Sequence, residues 1–271
     1  VEELGGNNLN HINTLTLTQS EVLNNADYSF TINSNELVLE CLKNERGNIG
    51  SICECVTGFY SGDDKTHLKV ISHDIKNGKR YEIVNIDDVK YGCSTKDLNG
   101  LIGDKLYVPI VKGGNTKYWK PDVWFMSWTA ENVSHYKKEK KARYQNSDYY
   151  FKNGIGIPMV SSSSISAVLL QQRLFDQSIV GVFPHEEKYL YYLLAFFNSP
   201  TCNALIRTIN STTNNSSNYI KKIPFIEPSA AQLTTITNNI KSILGDAKLG
   251  KAYNTDIEEA NNNIFYDIYG F

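Results

Sequence analysis

The period of the hydrophobic pattern changes along this chain. From about residue 45 to 185, apolar residues come in short runs that alternate with polar ones or are cut by glycine; beyond about residue 186 they recur at helical spacing. In "IGSICECVTGFYSGDDKTHLKVI", Ile49, Ile52 and Val56 alternate with small or polar residues, which predicts a strand broken by Gly58 and Gly62. "HLKVISHDIKNGKRYEIVNI" places two β-branched runs around Asn77-Gly78, the dipeptide that most favours a two-residue turn, and predicts an antiparallel hairpin over 68–86. "DKLYVPIVKGG" and "DVWFMSW" read as further strands. "EEKYLYYLLAFFN" is an apolar helix, and "SPTCNALIRTIN" starts another with Ser199 as N-cap and Pro200 in the first turn. A polar loop, "STTNNSSN" (211–218), leads to "YIKKIPFI", read as a short strand. Ser229 and Gln232 form a capping-box pattern ahead of Leu233, Ile236, Ile240, Ile243 and Leu244 on one face. Thr255 and Glu258 repeat it ahead of Ile257, Ile264, Phe265, Ile268 and Tyr269, so an antiparallel helical pair closes the chain.

The pattern predicts an α+β fold, a sheet-rich domain followed by C-terminal amphipathic helices. Residues 1–33, rich in Asn and Thr, form a connecting arm, and Ser34 caps a short lead-in helix to about Lys43 with Leu37, Leu39 and Leu42. We therefore divide the chain into an arm and lead-in helix (1–44), a sheet-rich domain (45–227) and a helical pair (228–271).

No apolar run approaches bilayer length, and the N-terminus carries no signal-peptide succession. The chain starts at Val1 and is expected to be a piece of a longer polypeptide. Five cysteines, odd in number and irregular in spacing, predict neither a disulfide framework nor a zinc site; Cys53 and Cys55 read as small packing residues, and a reducing, cytoplasmic setting fits. The five histidines are scattered and read as isolated structural or surface residues. The net charge of −2 argues against indiscriminate coating of nucleic acid, but the charge is unevenly spread. Residues 1–40 hold six acidic residues and no Lys or Arg, whereas 105–152 hold nine Lys and one Arg against four acidic residues. A basic band within a neutral chain suits a polyanion met over a limited footprint, or simply a solvated face.

Within that band lies "KGGNTKYWK" (112–120). Gly113 and Gly114 permit close backbone approach to a phosphate, Lys112, Lys117 and Lys120 add charge, and Tyr118 and Trp119 could pack along sugar or base; the alternative is a tight hairpin whose tryptophan anchors a core. "YKKEKKARYQN" (136–146) adds a lysine run ending in Arg143 and Asn146, residue types that read guanine and adenine edges, while Lys140 and its neighbours would supply affinity without sequence. "GFYSGDDK" sets Tyr60, Ser61 and Lys65 on a turn whose Asp63 and Asp64 either accept from a cytosine amine or cap the turn. Ser161–Ser164 offers hydroxyls or is a plain polar loop. Pro121-Asp122 with Glu139-Lys140-Lys141 spells a PD…E-x-K nuclease pattern, which we reject because the E-x-K lies in a solvated charge run instead of a buried strand.

Four stretches in order resemble the specificity region of adenine-N6 DNA methyltransferases, a group including TaqI-like, single-chain restriction-modification and BREX-type enzymes. They are "IGSICECVTGFYSGDDKTHL", "LYVPIVKGGNTKYWKPDVWFMSW", "ARYQNSDYYFKNGI" and "YLLAFFNSPTCNALIRTINSTTNNSSNYIKKIPF"; the closing "IEEANNNIFYDIYGF" is similar to the family's last helix. The family's aromatic-Ser-x-Ile-Ser-Ser-Gly run is replaced by "GIPMVSSSSISAVLL". The resemblance implies duplex-DNA recognition by Tyr60, Ser61, Lys65, Lys112, Gly113, Gly114, Lys117, Tyr118, Lys120, Lys140, Arg143 and Asn146, with Trp119 mostly structural. It also implies an upstream methyltransferase domain in the same polypeptide as partner. The chain has no Pro-Pro and no cofactor-binding glycine turn. We expect no metal or catalytic residue and no cofactor here; S-adenosylmethionine, and Mg²⁺ should the parent also cleave, belong to the parent. Half of a type I specificity subunit, a nuclease and a protein-interaction scaffold are the competing classes.

Overall fold

The computed structural model describes residue 41 and residues 47–161 and 164–270; the expected arm and the Ser34-capped helix lie outside the described residues. Its strands are β1 (Cys53–Thr57), β2 (Leu68–Val70), β3 (Glu82–Ile83), β4 (Tyr107–Val111), β5 (Trp124–Ser127), β6 (Ile155–Pro158), β7 (Val168–Leu169), β8 (Leu174–Phe175) and β9 (Ile179–Pro184). Its α-helices are α1 (Ile49–Ile52), α2 (Asp64–His67), α3 (Ala130–Lys138), α4 (Leu190–Phe197), α5 (Pro200–Ile209), α6 (Ser217–Lys221), α7 (Ala230–Lys248) and α8 (Thr255–Tyr269). The fold is α+β.

One sheet has the order β1-β9-β6-β7 with every pair antiparallel. Gly156 of β6 faces Gly181 of β9, and a Cβ on Gly181 would meet the rings of Phe175 and Phe183 at 2.8 and 2.7 Å, so the glycine makes room for aromatic packing. Cys53 and Cys55 of β1 point into the core, and burial pushes the Cys55 thiol up to about 12, which suppresses its thiolate. The strand begins at Cys53; Ile49–Ile52 is a one-turn helix capped by Asn48.

Helices complete this first core. Ser199 accepts from Cys202 N with Pro200 in the first turn, as its sequence predicts, and Ser229 and Gln232 form a capping box at α7. At α8 the cap is Asn254, one residue before the expected Thr255. Phe265 of α8 meets Tyr192 and Phe196 of α4 at ring-centroid distances of 5.4 and 5.5 Å, and Tyr269 stacks on Phe196. The last two helices thus share one hydrophobic core with the four-stranded sheet.

The second sheet has the order β3-β2-β5-β4-β8 and covers an aromatic core centred on Phe59, which Trp128, Tyr136 and Tyr150 surround edge-on. The expected hairpin over 68–86 is not formed. Asn77 does adopt the left-handed conformation (φ 68°), but it opens a 3-10 turn at Gly78–Arg80, and β2 and β3 pair in parallel. The reason is burial: the connection folds inward so that Ile75 and Tyr81 pack on the aromatic core, where a two-residue hairpin would leave them at an exposed tip. "YIKKIPFI" is likewise not a strand. Its first part is the helix α6, which ends at Lys221 and buries Ile220; Ile223, just beyond the helix, is buried as well. The basic run also contains unforeseen structure: α3 is capped by Thr129, buries Val133 and Tyr136, and ends at Glu139.

Candidate nucleic-acid interface

The turn 58–65 is the hub to which the separate basic segments attach. Tyr60 and Arg143 exchange backbone hydrogen bonds in both directions (3.3 and 2.8 Å), and a Cβ on Gly62 would meet Ala142 N at 2.9 Å. The 141–143 backbone therefore runs directly against the turn, leaving the Arg143 and Lys140 side chains exposed. On the other flank, Lys112 Nζ donates to Asp64 Oδ2 (3.0 Å) and Asp176 Oδ2 (2.8 Å). Burial of that ammonium is the largest single influence and would lower its pKa, but Asp176 and Asp64 together outweigh it and hold the pKa above its ordinary value.

Two clefts lie beside the turn. One, of about 400 Å³, is lined by Lys65, Arg80 and Tyr81. The other, of about 530 Å³, is lined by Lys76, Lys112, Gly113, Gly114, Lys120 and Ser178 among others. Lys76, Lys79, Arg80 and Ser178 were not among the expected contact residues. Lys76, Lys79 and Arg80 stand together in "KNGKR", three cations around the turn dipeptide, whereas Ser178 carries no such signal.

The expected site residues are distributed as follows. Tyr60, Lys65, Lys140, Arg143 and Asn146 stand at least partly open to solvent, and Asn146 Nδ2 donates to Thr57 O (3.0 Å). Ser61 is buried, its hydroxyl donating to Asp64 Oδ1 (2.9 Å). Gly113 N donates to Ser178 Oγ (3.2 Å), and Gly114 takes a positive φ of 136°. Lys120 Nζ donates to the carbonyls of Lys112 and Gly113, both at 2.6 Å, so it braces the loop from within. Lys117 and Tyr118 turn to α8, where Glu258 Oε1 accepts from Lys117 Nζ (2.5 Å) and from the Tyr118 hydroxyl (3.0 Å). Tyr118 is only 1 % exposed, so its expected packing along sugar or base gives way to a structural role. Lys112 is thus ion-paired with Asp64 and Asp176, and Lys117, whose side chain stays 39 % exposed, with Glu258; each carboxylate comes from a distant part of the chain.

Asp63 accepts from the Thr66 hydroxyl and from Thr66 N, which caps α2 and holds the carboxyl below its ordinary range. Both aspartates of the turn thus have local structural partners. His67 and His135, distant in sequence, lie with ring centroids 5.7 Å apart, and burial followed by His135 lowers the His67 pKa. Asp122 of the nuclease-like pattern is paired with the buried Arg173, and Glu139 accepts from Lys141 N at a helix end. Among the described residues no cluster of three or more His, Cys, Asp or Glu could hold a metal, and no helix is long and apolar enough to cross a membrane.

A Cβ on Gly58 would sit 2.3 Å from Phe175 O, and one on Gly154 would sit 2.4 Å from the Phe183 ring, so these positions serve packing between chain segments.

No protein-family profile matches the chain. It is 24 % identical over 148 residues to the adenine-specific methyltransferase PglX of Lacticaseibacillus casei (strain Zhang), covering 51 % of this chain and 12 % of that protein. It is 30 % identical over 128 residues to the adenine-specific methyltransferase BrxX of Escherichia coli O9:H4 (strain HS), covering 46 % of this chain and 10 % of that protein. The matched segment spans about a tenth of the length of these curated relatives.

Proposed function

We propose that this chain is the sequence-specific duplex-DNA recognition domain of an adenine-N6 DNA methyltransferase, with methyl transfer carried out elsewhere in the parent polypeptide. The similarity to two adenine-specific methyltransferases supports the system. The observation that carries the DNA reading is the backbone pairing of Tyr60 with Arg143, which gathers exposed cations around one turn. Lys65, Arg80 and Lys140 supply sequence-independent attraction to phosphates. Arg143, at the edge of that patch, has the fork that pairs with guanine O6 and N7.

The test is salt-dependent binding of this chain to a pool of random-sequence duplexes, with the retained sequences read out. Lys140→Ala should weaken binding to all duplexes alike and lower the log–log salt slope by about one unit. Arg143→Ala should relax selection at one base pair, at a cost of about 1–3 kcal/mol. Equal, sequence-blind losses for both would remove Arg143 as a reader. Absence of salt-dependent binding in the wild type would remove the DNA reading itself.

Methyl transfer is expected to need the parent. Calorimetric titration of this chain with S-adenosylmethionine should give no stoichiometric heat; a stoichiometric signal would place cofactor binding here.

A further inference from the structure

We propose that Lys112 is a positioning residue and not a phosphate contact: clamped between Asp64 and Asp176, it sets the turn from which Arg143 is presented. This rests on the DNA-recognition reading above. The clamp joins residues 48 and 64 positions apart in the chain. Each acid is itself held. Asp64 Oδ1 accepts from Ser61 Oγ, and Asp176 Oδ1 accepts from Ser178 N at 2.8 Å. Behind the clamp, Lys120 Nζ fixes the Lys112 carbonyl, and the carbonyl of Lys120 accepts from Arg173 Nη1 at 2.6 Å. A continuous series of charged contacts therefore runs from a buried arginine, through two lysines, to the turn 58–65. On the far side of that turn is the backbone pair to Arg143.

The charge balance excludes an easy second duty for Lys112. One ammonium faces two carboxylates, so a phosphate approaching it must displace one acid and then lie beside the other. Exposed cations remain for phosphates, among them Lys65, Arg80 and Lys140. Gly113 is occupied too, its amide already donating to Ser178 Oγ.

The two roles predict opposite results for one substitution, Asp64→Asn. As a positioning clamp, the pair loses half its hold: sequence preference in the random-duplex pool should flatten by about tenfold, equivalent to roughly one base contact, with the salt slope unchanged. As a tethered phosphate contact, Lys112 would be released, and binding to every duplex would tighten with a steeper slope. Lys112→Met should reproduce the flattened preference at unchanged slope, and Lys112→Arg, which keeps the charge and both acceptors, should restore it. A drop of about one slope unit in Lys112→Met, or general tightening in Asp64→Asn, overturns the proposal. Asp64→Asn changes no volume, so it decides the question even where Lys112→Met does not fold. A wild-type chain that shows no salt-dependent binding overturns the DNA reading first and the clamp with it.

Discussion

Arg173→Ala is expected to lower the free energy of unfolding by about 3–5 kcal/mol, the range for removing one partner of a buried ion pair. The Arg173 side chain is 3 % exposed and ties its own segment to residues 119–122. Nη1 donates to Lys120 O and to Asp122 Oδ1 (2.9 Å), and Nη2 donates to Leu169 O (2.5 Å). Its Cζ lies 4.0 Å from the centroid of the Trp119 ring, which Lys248 of α7 also approaches, at 4.9 Å. Burial depresses the guanidinium pKa and Asp122 partly restores it, so the group stays charged and depends on that partner. Alanine would strand Asp122 and two carbonyls and open a cavity beside the tryptophan. Arg173→Lys should recover only part of the loss, because a single ammonium nitrogen cannot occupy both positions, Nη1 and Nη2, from which the fork reaches Lys120, Asp122 and Leu169. Urea titration checks both variants through the midpoint at constant m. A shift worth under about 1 kcal/mol would show that the guanidinium is not a structural centre.

Phe265→Ala is expected to cost about 3–5 kcal/mol as well, for a different reason. The ring is fully buried between Tyr192 and Phe196 of α4, so its loss leaves a cavity where α8 meets the four-stranded sheet's core. The size of the effect measures how far the terminal helices fold with the rest. A large, cooperative loss in thermal unfolding would make α7 and α8 part of one folding unit with residues 47–227. A separate, earlier transition confined to the helical signal would make them an autonomous pair.

The sequence made the helical half more legible than the sheet half, because its signals are local. Ser199-Pro200 and Ser229 with Gln232 act within one turn of helix, so residue type alone predicts the cap. Asn254 and Thr255 are both capping residues, and spacing could not choose between neighbours. At residues 68–86 the turn chemistry was right at Asn77, but strand direction depends on Ile75 and Tyr81 finding the aromatic core, which is not a local property. In "YIKKI" the same apolar residues satisfy a short strand and a single helical turn equally. Charge counting found the basic band, yet it could not see which cations are spent internally. Glu258 lies 141 residues from Lys117, and Asp176 lies 64 from Lys112. The same distance in sequence hid the approach of His67 to His135.

The tie between Tyr60 and Arg143 is made by main-chain atoms alone, while the arginine side chain stands in solvent. Any amino acid except proline can make those two bonds. Position 143 is therefore an interchangeable letter on a fixed line of type: its identity can change without disturbing what holds the line in place. If the chain reads DNA as proposed, new preferences would arise there by single substitutions that cost little stability, whereas the contacts of Lys112 and Arg173 would be kept. Divergence among systems that share this fold should accordingly concentrate on the outward side chains of the turn and of residues 140–146.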